Sequence, residues 1–70
     1  MVKPTRITNR ITELRRVAGM SQAELGDRVG VTRQTVNAIE AGKYSPSLEV
    51  AFKIAQVFGE PLETVFQYPQ

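Results

Sequence analysis

The sequence contains neither cysteine nor histidine. Without cysteine there is no disulfide framework and no thiolate metal site. Without histidine, the commonest general base and the commonest transition-metal ligand are missing. No apolar run approaches the roughly 20 residues of a membrane span, and the opening MVKPTRITNR lacks the apolar stretch of a signal peptide. These absences lead to an expectation of a cytoplasmic protein that carries no metal or cofactor and touches no membrane. At 70 residues the chain reads as one domain, residues 1–70, near the lower limit for folding on a hydrophobic core alone. Helix packing, extended by dimerisation, is what remains to stabilise it.

Charge is modest in total and uneven in placement. Residues 1–43 hold eight Lys and Arg against four acids, whereas residues 44–70 hold Lys53 against Glu49, Glu60 and Glu63. Such a split suits a basic end facing a polyanion and an acidic end facing away. In a chain this small, chance explains it equally well.

Helical periodicity runs throughout, with regular punctuation. Ile7, Ile11, Leu14 and Ala18 form one apolar stripe on a first helix, residues 7–18, ended by Gly19. Ser21 and Glu24 make a capping box for a second helix, 22–29, and Gly30 supplies the left-handed residue after it. Thr32 caps a third helix, 33–41, which stops at Gly42. Pro46 marks a loop, and Ser47 caps a fourth helix, 48–58, with the stripe Leu48, Ala51, Ile54, Ala55 and Phe58. Pro61 opens a short fifth helix, 62–66. No strand alternation or internal repeat is visible.

Within this pattern, SQAELGDRVGVTRQTVNAIEAGK, residues 21–43, has the form of a helix-turn-helix. Gly26 must be small because the third helix crosses close over it, and Gly30 turns the chain in a conformation that costs a residue with Cβ about 1–2 kcal/mol. Leu25, Val29, Val31, Val36 and Ile39 form the shared apolar seam. With Val36 and Ile39 turned inward, Arg33, Gln34, Asn37 and Ala38 face outward. Arginine can donate twice to guanine O6 and N7, and Gln or Asn can pair with adenine N6 and N7. Thr35 and Ala38 offer methyl groups to a thymine. Residues near the N-terminus of a helix lying in the major groove reach deepest.

A phosphate-contacting rim surrounds this face. Gln22 opens the second helix, where free N–H groups and the dipole favour an anion, and Thr35 stands beside the base-facing residues. Lys43, Tyr44 and Ser45 follow the third helix on one flank. Arg10, Lys3 and Arg6 are candidates on the other, each equally readable as a solvated charge.

On these residues the chain resembles the Cro/CI type (XRE type) of helix-turn-helix transcriptional regulators. The run from Ile11 to Leu48, I-x-x-L-R-x-x-x-G-x-S-Q-A-E-L-G-x-x-V-G-V-T-R-Q-T-V-N-A-I-E-A-G-K-Y-S-P-S-L, follows the family pattern nearly throughout, and residues 7–66 are covered. The resemblance implies an all-α, compact five-helix, lambda-repressor-like domain that inserts its third helix into the major groove, usually as a homodimer on a palindromic operator. It implies contact by Gln22, base reading by Arg33, Gln34 and Asn37, and backbone contact by Lys43 and its loop. It further implies an ion pair of Arg15 with Glu40, tying the first helix to the third. Alanine is common in the family where this chain has Gly26.

The expected dimer surface is the C-terminal cluster Leu62, Val65, Phe66 and Tyr68, with Phe66 as much a candidate for the core. No pocket-forming segment suggests a small-molecule ligand, and no catalytic constellation is present. Glu60 and Glu63 read as first-turn acids complementing a helix dipole. The expectation is therefore a double-stranded-DNA-binding repressor rather than an enzyme. The competing reading is an antitoxin-like interaction module with secondary autoregulatory DNA binding; the lack of an extension after residue 66 argues against it.

Overall fold

The computed structural model describes residues 5–69. Along the chain run β1 (Thr8–Asn9), α1 (Ile11–Ala18), α2 (Gln22–Val29), α3 (Arg33–Glu40), α4 (Leu48–Phe58), α5 (Leu62–Val65) and β2 (Phe66–Gln67). All five expected helices are present. Three boundaries differ from the periodicity.

The first helix starts at Ile11, not at residue 7. Asn9 is the cause: its Oδ1 accepts from the Ile11 N–H at 3.1 Å, and its Nδ2 donates to the Ile39 carbonyl at 2.9 Å. That clamp takes up the first free N–H of α1, whose N-cap residue is Arg10, and leaves Thr8–Asn9 extended, so Ile7 is outside the helix. Ala18, at the other end of the expected stripe, is exposed. The fifth helix stops at Val65 because Phe66 turns to extended backbone and pairs antiparallel with Asn9, as Gln67 does with Thr8. A small β ribbon is thus added to an otherwise helical fold, tying both ends of the chain together. The third helix ends at Glu40, with Ala41 as its cap.

Caps set the remaining ends. Ser21 and Glu24 form the reciprocal capping box, and the Thr32 and Ser47 hydroxyls accept from the N–H groups of Thr35 and Val50. Gly30 adopts φ of 80°, and its N–H returns to the Gly26 carbonyl at 2.8 Å. Gly26 is small for a different reason from a helix crossing. A Cβ there would stand 2.6 Å from the Val31 carbonyl oxygen, so it is the turn backbone that excludes it.

The core is assembled from every helix: Ile11, Leu25, Val29, Val36, Ile39, Ile54, Ala55 and Val65. Leu14, Met20, Val31, Tyr44, Leu62 and Phe66 pack around it, partly buried. Among the described residues no polar or charged residue is buried. Leu48, expected in the inward stripe of α4, is instead 68% exposed.

Candidate nucleic-acid interface

Helix α3 is short, capped at its start, and anchored by Val36 and Ile39, which are almost fully enclosed. A 3.6-residue period then forces Arg33, Gln34 and Asn37 to the opposite side, and all three are exposed. Ala38 and Thr35 are partly buried at the edges of that face. Among the described residues neither Arg33 nor Gln34 has a side-chain hydrogen bond or ion pair. By contrast Arg10, Arg15 and Lys53 are paired with Glu13, Glu40 and Glu49. Thr32 Oγ1 accepts from the Thr35 N–H and donates to Thr35 Oγ1 at 3.0 Å, which leaves the Thr35 hydroxyl proton free to donate outward.

Behind the face lies a hydrogen-bonded group centred on Glu40. Its side chain is only 7% exposed and that of Arg15 15%. Arg15 Nε donates to Glu40 Oε2 at 2.7 Å and its Nη2 to Oε1 at 3.1 Å, while Nη1 donates to the Met20 carbonyl at 3.0 Å. Thr12 Oγ1 donates to Glu40 Oε1 at 2.7 Å, and Gln22 Nε2 does so at 3.1 Å. Burial penalises charge on Glu40, yet the hydrogen bonds from Arg15, Thr12 and Gln22, with the Arg15 charge, hold its carboxyl below the ordinary value. The bond to Glu40 raises the Arg15 value in turn. Three helices meet in this group, so it fixes their mutual orientation even where its net stabilisation is small.

Gln22 belongs to this group as well as to the rim. Its Nε2 also donates to Asn37 Oδ1 at 3.2 Å. On the flank after α3, Lys43 is exposed, with its N–H bonded to the Ala38 carbonyl. Tyr44 packs partly buried on the core, and Ser45 Oγ donates to Thr5 Oγ1 at 2.7 Å. On the other flank Arg10 is bonded to Glu13 and lies within the field of Glu60. Arg6 lies over the Tyr68 ring, 5.8 Å from its centroid. Lys3 lies outside the described residues.

The C-terminal cluster separates by depth. Val65 is fully buried and therefore unavailable to a partner, which corrects its assignment to an interface. Its backbone carbonyl also receives the Arg10 N–H at 2.9 Å. Leu62 and Phe66 are partly buried; they line an apolar groove with Ile7, Pro46, Leu48 and Ala51. Tyr68 is 64% exposed. Sequence reasoning missed Asn9, Thr12 and Leu48. Asparagine readily accepts from the backbone N–H two residues on, so Asn9 was findable; Thr12 and Leu48 depended on tertiary neighbours.

The paired helices α2 and α3, joined by the Gly30 turn with a polar outer face on α3, define a helix-turn-helix DNA-binding domain. Residues 11–65 match the helix-turn-helix family, and the chain belongs to it, within the Cro/CI (XRE) type of transcriptional regulators. It is 55% identical over 58 residues to an uncharacterized HTH-type transcriptional regulator of Bacillus subtilis, covering 83% of this chain and 88% of that one. The restriction-modification controller protein C.AhdI of Aeromonas hydrophila is 31% identical with a TM-score of 0.72, covering 79% of this chain and 83% of its own. SinR, a master regulator of biofilm formation solved in complex with DNA, is 28% identical with a TM-score of 0.70, covering 79% and 89%. The protein is a transcriptional regulator, not an enzyme. No helix among the described residues is long and apolar enough to cross a membrane.

Proposed function

We propose that this regulator is a cytoplasmic, sequence-specific repressor that binds a palindromic operator as a homodimer, with α3 in the major groove. The observation that carries the reading is the outer face of α3, where Arg33 and Gln34 keep their hydrogen-bonding capacity unengaged on a rigidly anchored helix. Arg33 and Gln34 read base edges, joined by Asn37 and the Ala38 methyl. Lys43 and the Thr35 hydroxyl hold phosphates, with Tyr44 and Ser45 shaping the loop beside them. Gln22 contributes its backbone N–H at the start of α2, because both protons of its side-chain amide are already donated. Arg10 meets the backbone only by exchanging Glu13 for a phosphate. A DNA-bound dimer excludes polymerase wherever its site overlaps a promoter, so occupancy alone produces repression.

Two-fold pairing is supported by exposed apolar side chains on and around α4. Leu48, which lines the groove with Leu62 and Phe66, is 68% exposed, and Phe52, one turn along α4, is 48% exposed. Tyr68 flanks the groove. A second copy seated there covers these side chains.

Binding to the DNA upstream of its own gene, measured against unrelated duplexes at rising salt, tests the reading. Affinity is expected to fall steeply with salt as phosphate counterions are released, and to remain higher for the specific site. Arg33→Ala is expected to cost about 1–3 kcal/mol at one base position and relax preference there, whereas Lys43→Ala weakens all duplexes alike. Absence of binding to any duplex at low salt, or an Arg33→Ala variant with unchanged preference, overturns it.

A further inference from the structure

Asn9 stands where three parts of the fold meet. Its backbone pairs with Phe66 in the β ribbon. Its Oδ1 accepts from the Ile11 N–H that opens α1, and its Nδ2 donates to the Ile39 carbonyl in the last turn of α3. The reverse orientation of this half-buried amide fails at both ends, setting donor against donor at Ile11 and acceptor against acceptor at Ile39. The Ile39 carbonyl also takes the Gly42 N–H at 3.1 Å, so a carbonyl left over at the helix end is fully engaged. Phe66, the strand partner of Asn9, lines the apolar groove of α4 and α5. The path from that groove to the third helix is therefore short and made of hydrogen bonds: Phe66 to Asn9 through the ribbon, then Asn9 to Ile39 through one side chain.

We propose that Asn9 is a positioning residue for operator recognition, which clamps the end of α3 to the ribbon and so sets the half-site spacing that the dimer accepts. The inference rests on the reading of the protein as a dimer that docks through this groove with α3 in the major groove. Asn9 itself does not have to touch DNA. Moving a half-site by one base pair displaces it about 3.4 Å along the duplex and turns it about 35° around the axis. Linked binding is lost when geometry forbids both half-sites from being engaged together. A dimer whose two α3 helices are held firmly against the two-fold axis rejects such a shift. One whose helices are loosely held accommodates it.

Asn9→Asp separates the two ends of the clamp. The carboxylate still accepts from the Ile11 N–H, where the α1 dipole favours negative charge. It cannot donate to Ile39, where the α3 dipole opposes it. The Thr5 N–H continues to hold the Gly42 carbonyl at 3.2 Å, so the end of α3 stays in place and the variant is expected to fold. Asn9→Ser is the second variant: its hydroxyl can accept from the same N–H but is too short to reach Ile39.

A site selected by the wild-type protein from a random duplex pool is rebuilt with its half-sites one base pair closer, one base pair farther, and as a single half-site. Wild type is expected to lose on the order of tenfold in affinity at either altered spacing. The clamp variants are expected to lose less than about threefold there, while binding the single half-site as wild type does. Ile54→Val, which trims the buried core on α4 away from the clamp, is expected to lower the thermal midpoint and keep the strict spacing. A folded clamp variant as sensitive to spacing as wild type overturns the proposal. Relaxation of Ile54→Val to the same degree also overturns it, because general loosening then accounts for the effect. Wild-type selection that returns only unpaired half-sites defeats the dimer reading itself, and the proposal with it.

Discussion

Glu40 shows how much a single side chain can integrate. It accepts from α1 through Arg15 and Thr12, from α2 through Gln22, and itself belongs to α3. Its carboxyl is held below the ordinary glutamate value of about 4.3. As pH falls, the unfolded chain therefore takes up the proton first, and the contribution of Glu40 to stability is lost through the lowered folded value. Above the ordinary value that contribution is complete. Glu40→Gln is expected to cost about 1–3 kcal/mol at neutral pH. In denaturant titrations the gap between wild type and variant should stay constant near neutrality and close below about pH 4. A gap that widens on acidification would contradict this. Family resemblance points to the Arg15–Glu40 pair; the links onward to Thr12, Gln22 and Asn37 depend on side chains that meet only across helices.

Among the elements, the α2–α3 unit was the most legible. Ser21 with Glu24, Gly30 and Thr32 are local signals whose chemistry acts within four residues, so they mark the ends of helices without tertiary help. The role of Gly26 was legible only as smallness. Its Cβ would meet the Val31 carbonyl, part of the turn leading into α3. Gly26→Val is expected to destabilise the fold by about 1–3 kcal/mol, because rigid backbone must move to admit the side chain. Chemical-shift changes in the NMR spectrum should concentrate at Val31 and Thr32, and a variant as stable as wild type with those shifts unmoved would refute this account. The first helix was the least legible. The Ile7 to Ala18 spacing satisfies a helical period, yet the Asn9 side chain competes for the Ile11 N–H and starts the helix there.

For the whole molecule, dimension constrains the assembly. Its principal extents are 29 × 24 × 20 Å. Recognition helices on successive major grooves stand about 34 Å apart, so a two-fold axis must lie about 17 Å from each. The proposed dimer requires that spacing of its two α3 helices. The groove lined by α4, α5 and Phe66 of β2, with Ile7 and Pro46, offers the apolar surface, and Leu48 within it is exposed enough to change without cost to the core. Leu48→Asp is therefore expected to leave the thermal midpoint nearly unchanged while shifting sedimentation toward monomer and weakening operator binding at least tenfold, through loss of linked half-site contacts. Wild-type protein that stays monomeric at high concentration and on DNA removes the dimer from the account.

The sequence by itself determined that five helices form, the caps that open α2, α3 and α4, the Gly30 turn, and the face of α3 turned outward, because periodicity and capping act over a few residues along the chain. The tertiary structure alone decided what depends on distant segments meeting. It paired Phe66–Gln67 with Thr8–Asn9, enclosed Val65 while exposing Leu48, and turned the Gln22 amide toward Glu40. Side-chain polarity and burial are set by neighbours in space, and those neighbours exist only once the helices have packed.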